Sequence, residues 1–346
     1  METPADAGAR GPAPGAGRQL TIGSRGSALA RWQAEHVAAR LRELEPDLQV
    51  RIEILSTRGD RALNQPIAEI GGKGLFTEEI ERALLAGSID LAVHSLKDLP
   101  TELPGGLALG GILSREEPAD VLVASGASSF ADLRQGARVG TSSLRRRAQL
   151  LHARGDLQIL PLRGNVPTRL EKALGGELDA VVLAHAGLAR LGLLRHVTEV
   201  LPASLLLPAP AQGALGVEIR EADGWAATLL ARLEDPVTRA TVTAERAFLH
   251  ALGGGCQVPV GALARIVPQD PQGQGQGKGQ GQGPRLRLEA MVSDPDGRKL
   301  LRGAREGTIA EAEATGVALA AELLASGAKE LLAEARARGA AQPGEP

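Results

Sequence analysis

The chain has 346 residues, of which 43% are apolar and 23% charged, and these values exclude a disordered, collagen-like or coiled-coil protein. The length predicts two or three domains. The net charge of −2 and the scarcity of aromatic residues, with 2 Trp, 3 Phe and no Tyr, argue against nucleic-acid binding. The sequence contains no run of about 18 apolar residues, which is the length that a transmembrane helix needs. We therefore expect no membrane partner.

The single cysteine, Cys256, excludes an intrachain disulfide framework and a cysteine-rich metal cluster, and it favours a reducing compartment. Residues 1–18 are rich in Ala, Gly and Pro but lack the apolar core of a secretory signal. They predict a disordered tail on a cytoplasmic protein. The Gln/Gly-rich segment 269–284 cannot bury enough apolar surface to order itself, and we expect a surface loop there.

Hydrophobic periodicity predicts alternating strands and helices up to about residue 235, an order typical of a parallel α/β sheet. The predicted strands cover residues 19–24, 50–54, 90–94, 138–140, 158–162 and 179–184, and the clearest helices cover 29–41 and 77–85. Beyond residue 235 the pattern predicts an α+β unit with an antiparallel sheet. Its elements are a helix over 244–249, strands over 258–266, 286–292 and 300–306, and one long helix from about 309.

Cationic side chains follow several of the predicted strands, and ligands of open α/β sheets bind beyond the carboxyl ends of the strands. These cations are Arg25, Lys97, Arg145 to Arg147, and Arg163. The preceding Thr141, Ser142 and Ser143 predict a helix cap, so Arg145 to Arg147 oppose the helix dipole at a cost of about 0.3–1 kcal/mol each. The pattern predicts a ligand with several carboxylates or phosphates. For any one arginine, the alternative is a surface ion pair.

Three further features of the sequence are candidates for catalytic or binding roles. Asp98, beside Lys97 at the end of an apolar strand, is a candidate acid/base group. Lys73 lies among glycines without the spacing of a P-loop, which predicts a mobile loop carrying a cation. Cys256 follows three glycines; most single cysteines are inert, and none of the six histidines shows a spacing diagnostic of a Cys-His dyad.

Five short motifs occur in order between about Leu20 and the C-terminal helix. They are GSRGS at 23–27 with Trp32-Gln33, HSLKDLP at 94–100, GTSSLRR at 140–146, LRGNV at 162–166 and GGCQVP at 254–259. Each motif is weak alone, but five in this order are specific. Together they resemble the porphobilinogen deaminase family, also called hydroxymethylbilane synthases.

The resemblance implies a transferase that joins four porphobilinogen molecules head to tail, loses ammonia at each step and releases 1-hydroxymethylbilane for tetrapyrrole and haem synthesis. The growing chain is primed on a covalent dipyrromethane cofactor, held by a thioether to the cysteine matched here by Cys256. The thiol is then an anchor and needs no histidine partner. Because each pyrrole ring carries an acetate and a propionate, the cofactor also accounts for the arginines.

The resemblance also implies the role of each site residue. Asp98 matches the central catalytic acid/base, which stabilises positive charge on the pyrrole nitrogen. The cofactor-binding set comprises Cys256, Lys97, Asp98, Ser143, Arg145 and Arg146. The substrate-binding set comprises Arg25, Ser95, Arg163, Arg169, Lys73, Phe76 and Gln212, with Thr141 as a weaker candidate. No metal is implied.

The fold class implied is α/β: two α/β domains similar to type II periplasmic binding proteins, and a C-terminal α+β domain with a three-stranded antiparallel sheet. Domain 1 would comprise residues 19–113 and 208–232, domain 2 residues 114–207, and domain 3 residues 233–346. Gly253 departs from the family, which commonly has an acidic residue there, and we expect a more flexible cysteine loop.

Two alternatives remain at this point, together with an expectation of a monomer. One is a non-catalytic polycarboxylate-binding protein of the same two-domain architecture, which leaves Cys256 unexplained. The other is a thiol-dependent transferase or hydrolase that uses Cys256 with His250.

Overall fold

The computed structural model describes residues 18–61, 77–253, 258–267 and 284–341. Its strands are β1 (Gln19–Ser24), β2 (Gln49–Ile54), β3 (Leu91–Ser95), β4 (Leu107–Ile112), β5 (Asp120–Ala124), β6 (Arg138–Gly140), β7 (Gln158–Leu160), β8 (Ala180–Ala184), β9 (Glu199–Leu201), β10 (Leu215–Arg220), β11 (Val260–Val267), β12 (Arg285–Ser293) and β13 (Leu300–Thr308). Its α-helices are α1 (Ala28–Leu44), α2 (Arg58–Arg61), α3 (Glu78–Leu85), α4 (Leu144–Ala153), α5 (Val166–Leu174), α6 (His185–Arg190), α7 (Gly224–Ala231), α8 (Pro236–Ala251), α9 (Ala312–Leu323) and α10 (Lys329–Ala341). None of the helices in these ranges is long and apolar enough to cross a membrane.

The first sheet has the strand order β2–β1–β3–β10–β4. β1 is parallel to β2 and β3, whereas β10 is antiparallel to its neighbours β3 and β4. Ile22, Val93 and Val217 from this sheet share one core with Val37 of α1 and Leu230 of α7. The sheet therefore joins residues that lie almost 200 positions apart in sequence, and it is completed only by β10.

The second sheet repeats this arrangement with the order β7–β6–β8–β5–β9. β6 is parallel to β7 and β8, and β5 is antiparallel to β8 and β9. Alternate residues of β5 enter cores on opposite faces, with Leu122 on one side and Val121 and Val123 on the other. An uninterrupted apolar strand is what a sheet covered on both faces requires.

The expectation of purely parallel sheets is wrong for one interior strand in each sheet. β5 and β10 each follow a segment that crosses from one sheet to the other. Within the described residues, neither strand is preceded in its own sheet by a helix that would carry the chain back for parallel pairing. Parallel pairing needs such a crossover connection, and antiparallel pairing does not.

The third sheet is antiparallel, with the order β11–β12–β13. Side chains of α8, α9 and α10 cover it and form a separate core that includes Phe248, Leu288, Leu319 and Leu332. The predicted fold class, two similar α/β units followed by an α+β unit with three antiparallel strands, is confirmed. The exact domain boundaries stay a prediction.

The two chain crossings between the α/β sheets, residues 113–119 and 202–214, run side by side. The Glu116 amide donates to the Gly213 carbonyl at 3.1 Å, and the Leu113 amide donates to the Leu215 carbonyl at 3.1 Å. Gly213 has a φ of 90°, and a Cβ there would lie 2.4 Å from the Glu116 carbonyl oxygen. Only glycine fits this approach.

The sequence patterns give no prediction for β4, β5, β9 and β10, and the prediction of one continuous C-terminal helix is wrong. That helix is interrupted at Leu324–Ala328, where Gly327 has a φ of 105°. The predicted disordered tail and the Gln/Gly-rich loop lie outside the described residues, except for Arg18 and Pro284 at their ends.

Gly316 of α9 lies against α8 so closely that a Cβ would be 2.3 Å from the Ala244 carbonyl oxygen and 2.8 Å from the Phe248 amide nitrogen. We expect Gly316→Ala to lower the free energy of unfolding by about 1–3 kcal/mol, because the two helices must separate. Gly224→Ala is the control, since no atom lies within 4 Å of its Cβ position. Urea unfolding measures both, and equal midpoints for the two variants would contradict the packing argument.

Candidate active site

The carboxyl ends of β1, β3, β6 and β7 carry most of the predicted site residues. β1 ends at Ser24 and is followed by the half-buried Arg25. β3 runs into a single 3-10 turn, Leu96–Asp98, in which Lys97 is half-buried and Asp98 is exposed. The turn follows an apolar strand directly, so its polar side chains project from the edge of the sheet.

In the second sheet, β6 leads into α4, and the predicted helix cap is confirmed. The Ser143 side chain accepts a hydrogen bond from the Arg146 amide, and Thr141 Oγ1 accepts one from the Ser143 amide at 3.2 Å. Arg145 and Arg146 therefore lie in the first turn of α4, where both side chains are buried. Arg147 points elsewhere and donates to Asp296 Oδ1 at 3.0 Å.

Asp120, the first residue of β5, is the buried counterion of Arg145 and Arg146. Its Oδ2 accepts from Arg145 Nη1 at 2.7 Å, and its Oδ1 accepts from Arg146 Nη2 at 2.7 Å and from Arg146 Nε at 3.2 Å. Burial by itself would raise the pKa of Asp120, but the two guanidinium groups lower it well below its usual range. Sequence reasoning missed this residue, although a carboxylate at the start of an apolar strand is a signal that it needs a partner.

Gln212 links this ion cluster to the first sheet. Its Nε2 donates to Asp120 Oδ1 at 2.9 Å and to the Pro118 carbonyl at 2.7 Å, while its Oε1 accepts from Lys97 Nζ at 3.2 Å. Its neighbour Ala211 has a φ of 62°, an unusual value for a residue other than glycine. The buried amide of Gln212 thus connects the turn after β3 to the helix after β6.

Five positive side chains, here called the cation cluster, surround this connection: Lys97, Arg145, Arg146, Arg163 and Arg169. Burial lowers the pKa of Lys97 to about 8; Asp98 opposes this shift, and Arg146 adds to it. Burial also lowers the pKa of Arg169, with a further contribution from Arg146. The cluster is therefore partly desolvated and mutually repulsive.

Among the described residues, Asp120 and Asp98 are carboxylates that act on these cations, and of these two Asp120 alone forms ion pairs with them. Lys97 donates to the neutral amide of Gln212, and Arg169 donates from Nε to the Gly164 carbonyl at 2.7 Å. The cation cluster therefore holds more positive charge than the described carboxylates beside it balance. A bound anion would compensate the difference.

The other predicted residues lie at the same edges or outside the described part of the chain. Ser95 Oγ accepts from Gln33 Nε2 at 2.8 Å, which fixes the end of β3 against α1. Arg163 follows β7 and is half-buried. Cys256, Lys73 and Phe76 lie outside the described residues.

Gly253 has a local structural role at the end of α8. Its φ is 84°, and its amide donates to the His250 carbonyl at 2.8 Å. A glycine in the left-handed conformation is a common helix ending. The expectation that it adds flexibility therefore has an alternative: it terminates the helix that precedes Cys256 in the sequence.

α8 also contacts both chain crossings. Glu245, which is fully buried, accepts from Arg115 Nη1 at 2.6 Å and Arg115 Nη2 at 3.0 Å, and from the amides of Ala211 at 2.6 Å and Ala264 at 2.8 Å. Ala211 precedes Gln212, so the third unit supports the same connection that holds Asp120.

Two family models match most of the chain. Residues 20–228 match the family model described as "Porphobilinogen deaminase, dipyromethane cofactor binding domain", and residues 239–325 match that of the porphobilinogen deaminase C-terminal domain. The chain belongs to the porphobilinogen deaminase family. The family's cofactor is thereby expected in the first two units, whose facing edges carry the cation cluster.

Curated porphobilinogen deaminases align over nearly the full chain. The protein from Moorella thermoacetica is 50% identical over 320 residues, covering 92% of this chain and 97% of its own. That from Nitratidesulfovibrio vulgaris strain Hildenborough is 49% identical over 325 residues, covering 94% and 99%. Among solved structures, the periplasmic aliphatic sulphonate binding protein of Escherichia coli aligns with a TM-score of 0.36 and 16% identity, covering 68% of this chain and 70% of that chain.

The residues present fit a dipyrromethane, whose rings carry carboxylate side chains. Guanidinium and ammonium groups are the partners that carboxylates prefer, and the cation cluster holds them at one place with an excess of positive charge. The non-catalytic binding protein is not favoured by these relatives. In the alternative of a thiol-dependent enzyme, His250 is the partner of Cys256. The Nδ1 of His250 lies 3.9 Å from Glu102 Oε1.

Asp120→Asn should lower the free energy of unfolding by about 3–5 kcal/mol, because it leaves two buried guanidinium groups without a counterion. Since the pKa of Asp120 is lowered in the fold, its stabilising effect is present above about pH 4 and is lost below it. The free energy of unfolding, measured by calorimetry between pH 3 and 7, should therefore depend less on pH in the variant than in the wild type.

Glu45→Gln is the control for that experiment, because Glu45 pairs with Arg232 at the surface, where both side chains are 48% exposed. Its effect should stay below about 1 kcal/mol. Equal losses in the two variants would show that the Asp120 cluster adds no more stability than a surface ion pair.

Proposed function

We propose that Asp98 is the acid/base group of the porphobilinogen deaminase reaction in this chain. Its exposed carboxylate follows β3 directly, and it acts electrostatically on Lys97 and Arg169, which form no ion pair with it. A carboxylate placed beside cations at the edge of the sheet can stabilise positive charge as it develops on a substrate nitrogen. The excess of cations around Asp98 is the observation that carries the proposal.

In this proposal the cation cluster binds the acetate and propionate groups of porphobilinogen and of the growing chain. We call the region around the cation cluster, at the carboxyl ends of β3, β6 and β7, the cleft. Arg163 and Arg169 belong to the second α/β unit and Lys97 to the first, so one carboxylated ligand bound there would contact both units. Arg25, Ser95, Ser143 and Gln212 complete the binding set proposed from the sequence. Arg145 and Arg146 already pair with Asp120. We therefore propose that their main role is to fix the geometry of the site and to make its electrostatic potential positive.

When bound, the dipyrromethane supplies the pyrrole terminus to which the first substrate unit is added. Cys256 is proposed as its thioether anchor, and Lys97 and Arg169 would hold its carboxylates. Lys73 and Phe76, which precede α3 in the sequence, are proposed to contact the substrate. Asp98 would hold a proton or release it at one carboxylate oxygen as ammonia leaves.

The same arrangement supports a monomer, because a single chain supplies both sheets and the whole cation cluster. A cysteine that must remain a free thiol until it forms a thioether suits a reducing compartment, which supports the expected cytoplasmic location. We keep the three-domain division at residues 113/114, 207/208 and 232/233 as part of the proposal.

Asp98→Asn should reduce kcat by at least about 100-fold while the fold is preserved, because the side chain is exposed and its shape is retained. Steady-state assay of porphobilinogen consumption and thermal unfolding measure the two effects. Asp47→Asn, in the turn after α1, is the control and should leave both unchanged. Retention of half the wild-type kcat by Asp98→Asn would remove Asp98 from the central role.

The mass of the denatured protein tests the proposed anchor. A thioether survives unfolding, so we expect a mass excess equal to two deaminated porphobilinogen units in the wild type and none in Cys256→Ser. If the wild type has only its sequence mass, incubation with porphobilinogen should restore the excess in the wild type alone. An equal mass gain in Cys256→Ser would place the attachment elsewhere.

A further inference from the structure

Arg246 of α8 contacts the backbone that directly follows Asp98. Its Nη1 donates to the Leu99 carbonyl at 3.0 Å, and its Nη2 donates to the Pro100 carbonyl at 2.7 Å. One guanidinium group therefore binds two consecutive carbonyls with two parallel donors. The contact joins residues almost 150 positions apart, from the third unit to the first.

This arginine has no carboxylate partner within the described part of the chain. Burial lowers the pKa of Arg246 to about 10, and the positive charge of Arg239 adds to that shift. A desolvated cation bound only to backbone carbonyls is costly, and such a residue is expected where it fixes a particular backbone conformation. Here the backbone concerned carries Asp98.

The segment held by Arg246 is short and already constrained. Leu99 is buried, and its amide donates to the Leu96 carbonyl at 3.3 Å, which closes the turn containing Asp98. Pro100 has a fixed φ and no amide hydrogen. The Leu99 amide closes the turn and Pro100 has no amide hydrogen, so the Leu99 and Pro100 carbonyls are the backbone polar groups left directly after the turn. Arg246 binds both, and it thereby fixes the backbone that leaves the turn.

We propose that Arg246 is a positioning residue for Asp98, through which the unit carrying the cysteine loop sets the orientation of the catalytic turn. The inference rests on the proposed role of Asp98. Its neighbour Glu245 holds the crossing that contains Gln212, so one turn of α8 supports both sides of the cleft. The same helix ends at Ala251, five residues before Cys256.

Arg246→Met tests the proposal because it keeps the apolar stem of the side chain and removes its donors. Molecules carrying the cofactor, counted by intact mass, should show kcat lowered by about 10- to 100-fold with KM changed by less than threefold. Arg246→Lys, which can reach one carbonyl at a time, should lie between Arg246→Met and wild type. A kcat above half the wild-type value in both variants would overturn the proposal.

Arg239→Met is the matched control. Arg239 lies two turns earlier on α8, is half-buried, pairs with Glu234 and donates from Nη2 to the Leu109 carbonyl at 3.4 Å. Within the described structure it forms no hydrogen bond or ion pair with residues 96–102, so the kcat of Arg239→Met should stay within twofold of wild type. Hydrogen exchange of the peptide covering residues 96–102 provides a readout independent of activity. It should be faster in Arg246→Met than in Arg239→Met, and equal exchange would overturn the proposal.

A double-mutant comparison separates this inference from the role of Asp98. If Arg246 acts through Asp98, Arg246→Met should reduce the residual kcat of Asp98→Asn by less than threefold. A further loss of tenfold or more in that background would show that Arg246 acts elsewhere. If Asp98→Asn alone keeps wild-type kcat, the proposed role of Asp98 fails, whatever Arg246→Met does.

Discussion

The buried carboxylate of Asp120 joins two arginines at the start of α4 to an amide on the crossing that leads back to the first sheet. Two cations in the first turn of a helix are unfavourable next to the helix dipole, and burial increases that cost. Asp120 makes this arrangement possible because each of its oxygens binds one guanidinium group. Gln212 carries the connection on to Lys97, so this charged contact links the turn after β3 to the helix after β6.

Asp120 compensates only part of the positive charge in the cleft. Lys97 and Arg169 each experience the positive charge of Arg146, and Arg169 also experiences that of Arg163. A site with incomplete internal compensation favours ligands with several negative groups over neutral ones of the same size, because the ligand removes repulsion as well as forming contacts. This preference suits a substrate and a cofactor that both carry carboxylates on every ring.

Much of the site follows from the sequence, and the reasons for the exceptions are physical. The strand ends at Ser24, Ser95 and Gly140 are set by local apolar patterns, so the cations after them are found from periodicity alone. The role of Asp120 was missed because the local sequence signals only that this carboxylate needs a partner. Which residues become its partners depends on β5 running antiparallel beside β8. β10 contains a glycine and the buried Glu218, which hide its strand character. The roles of Arg246 and Glu245 depend on contacts over more than 30 residues, and these exist only in the assembled fold.

The place of β10 in the first sheet has a consequence for synthesis of the chain. β3 pairs with β1 on one side and β10 on the other, and β10 is the strand that pairs with β4 in the described part of the chain. Residues 107–112 therefore leave the ribosome about a hundred residues before their partner strand does, a delay on the order of ten seconds at ordinary rates of translation. During that interval the nascent first sheet exposes the edge of β3, and the second α/β unit is made while the first is incomplete. Open strand edges pair readily with other chains, so the protein is most exposed to misassembly before residue 220 is added.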